Sequence, residues 1–260
     1  MLPFSPSSRS EVIDATLSGP IGRVTLNSPA TYNALDLAAL NAFTAVLEGW
    51  AERPDLRALV VTGSGRGFCS GVNLGDVAGG SWADDNPLTR LCDRLEAFPA
   101  PTVAALNGGV YGGGVEIALS CDFRVGVTGM KAFAPPARLG IHYEAAGIAR
   151  AVQRLGPQMA RRLFLLAESF GADQLLAAGF VDHLVAPKAL EDKVAEITGA
   201  LAALAPLAVR GMKRTILELS RGTLDAEAAK ARVAACFASA DHAEGLAAQR
   251  EKRPAKFTGR

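Results

Sequence analysis

The 260-residue chain has little of what builds metal, redox or nucleic-acid sites. Its three histidines, His142, His183 and His242, lie far apart and make no metal-ligand spacing. Its four cysteines, Cys69, Cys92, Cys121 and Cys236, form no pair at metal or redox spacing. They read as reduced, mostly buried thiols, and the expected location is the cytoplasm. A formal net charge of +1 excludes nucleic-acid binding by bulk charge, so no nucleic-acid partner is expected. No window holds about 18 uninterrupted apolar residues, so no membrane span is expected. Residues 1–10 carry Pro and Ser but no apolar run, and read as a frayed terminus without a targeting signal.

Apolar residues and glycine are abundant. With 49% hydrophobic residues and a near-zero net charge, general disorder is excluded. The length suits one large domain, or one with an appendage. Residues 12–17 and 23–26 are β-rich runs around Gly19-Pro20, which predicts a hairpin. Asn33 reads as the N-cap of a helix running to about Trp50, with Leu35, Ala39, Phe43, Val46, Leu47 and Trp50 at helical spacing. Residues 57–62, 102–106 and 122–127 read as buried strands, separated by helical patterns near 81–98 and 115–120. Strands alternating with helices predict βα units and a mainly parallel sheet. Beyond residue 145, helical segments dominate, and the boundary between core and helical appendage is set at residues 1–200 and 201–260. No internal repeat of fixed period is found.

Two glycine-rich strand-to-helix junctions stand out, residues 63–71 and 109–116. Glycine allows close backbone approach, and a helix N-terminus adds unpaired N–H groups. Two such junctions side by side can aim two N–H groups at one oxygen, an arrangement suited to a carbonyl that becomes an enolate. Neither junction has the pattern of a phosphate-binding or dinucleotide loop. Glu116 lies in the first helical turn amid Val115, Ile117, Ala118 and Leu119, where an idle carboxylate is costly to bury. It is the first acid/base candidate.

Several segments, in order, resemble the crotonase superfamily, the enoyl-CoA hydratase/isomerase group. They are Leu26-Asn27-Ser28-Pro29 with Asn33-Ala34-Leu35, then Leu59-Val60-Val61-Thr62-Gly63, and Gly67-Phe68-Cys69-Ser70-Gly71-Val72-Asn73-Leu74. Further on come Pro101-Thr102-Val103-Ala104-Ala105-Leu106-Asn107-Gly108, Gly112-Gly113-Gly114-Val115-Glu116, Pro136-Ala137-Arg138-Leu139-Gly140-Ile141 and Ala178-Gly179-Phe180-Val181-Asp182. The resemblance implies an α/β spiral of ββα units with a C-terminal helical region that trimerises, giving a homotrimer or a dimer of trimers. It implies an acyl-CoA substrate and no separate cofactor. By motif position it assigns the two thioester-binding amides to Ser70 and Gly113. It places coenzyme A contacts around Asn33, Ala34, Leu35, Ser70, Val72, Asn73 and Leu74. The basic tail, Lys256 above all, is a candidate for the coenzyme A phosphates.

The resemblance makes Glu116 the first of two hydratase glutamates. The second is missing, because Pro136 or Ala137 stands at its position. Glu144 is the replacement candidate, at the spacing Leu-Gly-x-x-x-Glu that some isomerases of the family carry. Tyr143 instead resembles a residue of the family's malonyl-type decarboxylases, although Val72 stands where such enzymes can carry a histidine. His142 can tune Glu144 or act itself. Cys69 beside the first junction reads as inert. Trp82, Asp76, Asp84 and Asp85 lie in a segment expected to cover the acyl chain. Two rivals to proton-transfer catalysis are decarboxylation with Tyr143 and a silent acyl-CoA binder.

Overall fold

The computed structural model describes residues 12–73, 75 and 85–260. Strands β1 (Ile13–Ser18) and β2 (Ile21–Leu26) form the expected antiparallel hairpin. Three continuously buried or nearly buried strands extend it in parallel: β3 (Ala58–Gly63), β5 (Thr102–Leu106) and β7 (Phe123–Val127). Strand β10 (His183–Val185) closes the far edge, giving the order β1-β2-β3-β5-β7-β10. His183 is thus a sheet residue, paired with Val125.

After each of β3, β5 and β7 the chain turns at once into a second sheet. Its members are β4 (Gly67–Cys69), β6 (Gly109–Tyr111) and β8 (Lys131–Phe133), with β9 (Phe170–Gly171) antiparallel at the edge. A helix then returns the chain: α2 (Pro87–Glu96) after β4, α3 (Gly113–Ser120) after β6 and α4 (Ala145–Phe164) after β8. This is a spiral of ββα turns. The second sheet was not foreseen in the sequence, where 67–69 and 109–111 fall inside the two glycine-rich junctions. Strands of two or three residues are too short to display a period of two.

Helix α1 (Leu37–Ala51) buries Ala39, Phe43, Val46, Leu47 and Trp50 of the predicted face and packs on α2, while Leu35, expected on that face, is buried ahead of the helix. Its N-cap is Asp36, whose carboxylate accepts from the Ala39 N–H at 2.8 Å. Asn33 is therefore not the cap. It is wholly buried in the left-handed region, and its side chain ties three chain segments. Its Oδ1 accepts from Ser28 N–H at 2.9 Å, while its Nδ2 donates to the carbonyls of Ser64 (2.9 Å), Gly67 (2.8 Å) and Phe68 (3.1 Å). Those carbonyls belong to the turn leading into β4 and to β4 itself.

Helix α4 is broken at Gly156 (φ 77°, ψ 161°) before Pro157, where the sequence divides it. Helices α5 (Ala172–Ala177) and α6 (Leu190–Ala202) follow, and α6 lies on β3, β5 and β7. Helices α7 (Pro206–Arg221), α8 (Ala226–Phe237) and α9 (Ala240–Glu251) form the helical C-terminal region. Among the described residues no single helix is long and apolar enough to cross a membrane.

Asn33→Ala strands these buried carbonyls and the Ser28 N–H together. It is expected to cost roughly 3–5 kcal/mol of unfolding free energy, read by urea denaturation. A cost below about 1 kcal/mol would show that the turn holds without the amide.

Candidate active site

The two glycine junctions meet in space. A Cβ on Gly71 would lie 2.6 Å from the Gly113 nitrogen and 3.0 Å from the Tyr111 carbonyl oxygen. Gly71 also has φ +95°, so both sterics and backbone demand glycine there. Flanking bonds fix the crossing: Leu35 N–H donates to Gly71 O (2.8 Å) and Asn73 N–H to Leu35 O (2.9 Å). Leu35 and Val72 form an isolated parallel bridge. Leu35, Asn33 and Ala34 thus adjoin the first junction, and Leu35 and Asn33 have clear positioning roles in its backbone.

Ser70 does not offer its amide. Its N–H donates to Tyr32 O at 2.8 Å, and its hydroxyl donates to Thr31 O at 2.8 Å. Among the described residues, no acceptor meets the N–H of Val72 or of Gly113. Gly113 opens α3, so its N–H has no partner within the helix. Both residues line one cavity of about 490 Å³, together with Ser70, Gly112, Glu116 and Tyr143. The signal for Val72 was its place after Gly71; the carbonyl that takes the Ser70 N–H is invisible in sequence.

Glu116 sits one turn into α3 and is 2% exposed. Its Oε1 accepts from Arg150 Nη1 at 2.6 Å, and Tyr143 lies within hydrogen-bonding reach. Burial pushes the Glu116 carboxyl above the usual carboxylate range, while Arg150 and Tyr143 pull it back. Burial and the neighbouring Glu116 carboxylate hold the Tyr143 phenol protonated far above its ordinary range. Gly147 makes room for both groups: a Cβ there would lie 2.8 Å from Glu116 Oε2 and closer still to the Tyr143 ring. Arg150 and Gly147 were not singled out in the sequence, since they are 34 and 31 residues from Glu116.

Pro136 is buried and lines the cavity, whereas Ala137 is exposed. No proton-carrying side chain stands at either position. Glu144 is exposed at the cavity rim, N-terminal to α4, with Asn86 Nδ2 at 3.4 Å. His142, also at the rim, has Nδ1 2.8 Å from the Tyr143 carbonyl oxygen. Cys69 is fully buried and its thiol is pushed up to about 12 by desolvation, which makes it a poor nucleophile. Lys256 is not at this cavity. Its N–H donates to Glu244 Oε1 at 2.7 Å, and it lines a separate depression with Asp241 and Arg253. Leu74, Asp76, Trp82 and Asp84 lie outside the described residues; Asp85 pairs with Arg90 at 2.5 Å.

A family model described as enoyl-CoA hydratase/isomerase matches residues 16–260. The chain belongs to the enoyl-CoA hydratase/isomerase family. Among curated members of that family, it is 31% identical to crotonyl-CoA hydratase of Syntrophomonas wolfei, over 89% of this chain and 92% of the relative. It is 32% identical to 2,3-dehydroadipyl-CoA hydratase of Escherichia coli, over 91% and 94%. A solved family structure, an enoyl-CoA hydratase/carnithine racemase from Magnetospirillum magneticum, superposes with a TM-score of 0.93 at 29% identity, covering 98% of each chain. The spiral with its helical C-terminal region is therefore the crotonase fold of this family.

The crossing can be tested directly. Gly71→Ala is expected to fold and to lose at least roughly 10²-fold in kcat/KM on the enoyl-CoA thioester that proves active, because its Cβ crowds the Gly113 amide. Ser70→Ala is expected to stay within about threefold, since only an exposed hydroxyl bond is removed. Equal losses in the two variants would show that the hydroxyl bond from Ser70 to Thr31, and not the glycine crossing alone, holds the site.

Proposed function

We propose that the chain stabilises the enolate of an acyl-CoA thioester and moves a proton at the adjacent carbon. The carrying observation is the pair of unpartnered amides, Val72 and Gly113, opening on a cavity whose wall also holds Glu116. In this reading the thioester oxygen accepts from both N–H groups. As the Cα–H bond breaks, negative charge gathers on that oxygen, and each donor is worth roughly 3–4 kcal/mol in the transition state. Glu116 takes the proton. A buried carboxylate with a raised pKa suits this work, being nearer to neutrality than a free glutamate.

Hydration needs a second group to deliver or activate water, and Pro136 fills that wall. A double-bond shift needs only one shuttle. The proton leaves C2 of a 3-enoyl thioester, the double bond moves to C2–C3, and Glu116 returns the proton to C4. Double-bond isomerisation is therefore the leading activity, with Glu144 as the second acid/base group at the rim.

A second reading has its own observation. Arg150 occupies Glu116 Oε1, and Tyr143 lies within reach of the same carboxylate at the cavity wall. A malonyl-type thioester would lose carbon dioxide by cleavage of its Cα–carboxylate bond, leaving the same enolate without a strong base. Tyr143 would then supply the proton to Cα.

Incubation in heavy water with 2-enoyl, 3-enoyl and malonyl-type thioesters, followed by mass spectrometry, separates these activities. Isomerisation appears as a moved double bond, read by chromatographic separation of the isomers, with deuterium gain to the extent that the Glu116 proton exchanges with solvent. Decarboxylation appears as loss of carbon dioxide, and hydration as gain of water. Turnover surviving Glu116→Gln combined with Glu144→Gln would remove proton transfer by glutamate. Binding with neither a change in mass nor a moved double bond would leave a silent acyl-CoA binder.

We also propose self-association through the C-terminal helices. Met212, Ile216, Val233 and Phe237 are each more than half exposed and line an apolar cavity of about 690 Å³ between α7, α8 and α9. Such a face is unusual on a free monomer. Native mass spectrometry is expected to give a trimer or a multiple of it. Ile216→Glu with Phe237→Glu is expected to give monomer, and a wild-type chain that is itself monomeric would refute the assignment.

A further inference from the structure

A balanced set of six charges lies behind the cavity, and proton transfer alone does not require most of it. Arg150 is 2% exposed and contributes three nitrogens to three carboxylates. Nη1 donates to Glu116 at 2.6 Å, Nε to Glu96 at 3.2 Å and Nη2 to Asp93. Glu96 is itself 3% exposed. It also accepts from Arg221 Nη2 and lies 3.7 Å from Arg154 Nη2. Arg221 reaches Asp93 as well, at 3.5 Å. Asp93 and Glu96 stand on α2, Arg150 and Arg154 on α4, and Arg221 is the last residue of α7.

A guanidinium is planar, so its orientation is fixed once two of its edges are fixed. Here the edges toward Asp93 and Glu96 set the plane in which Nη1 meets Glu116. Those two carboxylates compete with Glu116 for Arg150, and Arg221 neutralises part of their pull from the far side. Without Arg221 the competition tips toward α2. We propose that Arg150 is a positioning residue for Glu116, and that Glu96 with Arg221 transmits the seating of helix α7 to that carboxylate. The C-terminal helical region and the cavity are thereby electrically joined. The inference rests on the reading of Glu116 as the proton-transfer group.

The groups that face Glu116 define the sign. They are Arg150 from α4, Asp93 and Cys92 from α2, and Tyr143 from the preceding loop, with Glu96, Arg154 and Arg221 one step behind. Arg150 favours the charged carboxylate and Asp93 opposes it. Loosening Arg150 therefore raises the Glu116 midpoint, and the basic form is lost at a higher pH as acid is added.

Arg150→Lys keeps the charge but breaks the fork, and this buried position tolerates little. Arg221, a partly exposed side chain at the end of α7, is the safer probe. The protonated-carboxyl infrared band of Glu116 can be isolated by subtracting the spectrum of Glu116→Gln and followed against pH in the full-length protein. In Arg221→Met its midpoint is expected to rise by about half a unit or more. The acid limb of kcat/KM, measured on the thioester that turns over, is expected to move equally, with KM within about twofold. Arg221→Lys is expected to return part of the shift. A lowered Tm in Arg221→Met with both midpoints unmoved would reduce the network to a structural tie and overturn the inference. Full turnover by Glu116→Gln would instead defeat the reading of Glu116, while the infrared midpoint would still decide whether Arg221 acts on it.

Discussion

The close passage of Gly71 over Gly113 is the constraint around which the catalytic half of this molecule is arranged. With no side chain at residue 71, one crossover of the spiral approaches the next to within a distance that any Cβ would forbid. Everything nearby serves that approach. Leu35 brackets Gly71 through its own N–H and carbonyl, Tyr32 takes the Ser70 N–H, and Asn33 ties off the carbonyls of the turn and of β4. The second sheet contributes few ladder bonds per strand, so side-chain and loop bonds hold it in register. What results is a pair of N–H groups without partners among the described residues, and prepositioned donors of this kind gain most.

The cavity is lined from two sides. A crotonase-fold wall that faces Glu116 carries a proline ring at 136, and the loop beyond it delivers Tyr143 and Glu144 instead. Tyr143 is positioned by packing on Phe164, with ring centroids 4.9 Å apart, and by the space left at Gly147. Two helices thus cooperate: α3 presents the carboxylate, and the start of α4 presents the groups that tune it.

Much of this was legible in the chain, and the rest was hidden for definable reasons. The hairpin, the long parallel strands and the helices announce themselves through apolar runs and periodicity. Glu116 could be singled out because a carboxylate amid Val115, Ile117 and Leu119 is out of place unless employed. The short strands β4, β6, β8 and β9 could not be read, since two or three residues carry no alternation. Asn33 looked like a cap because caps and left-handed turns favour the same residue type. The choice between Ser70 and Val72 depends on which N–H a distant carbonyl claims, and that is a tertiary fact. Arg150 offers no local sign at all: only folding brings it from another helix onto Glu116.

One turn of α3 carries both Gly113 and Glu116, three residues apart. The helical rise separates them by roughly 4.5 Å along the axis, and hydrogen bonds within the helix hold them as one body. The Gly113 N–H and the Glu116 carboxylate therefore keep a fixed separation on the cavity wall. Motion of loops cannot lengthen it, and substitutions in the acyl-facing wall cannot shorten it. The side of the cavity that can differ around this fixed pair is the opposite one, residues 135–144, where Pro136, Tyr143 and Glu144 stand.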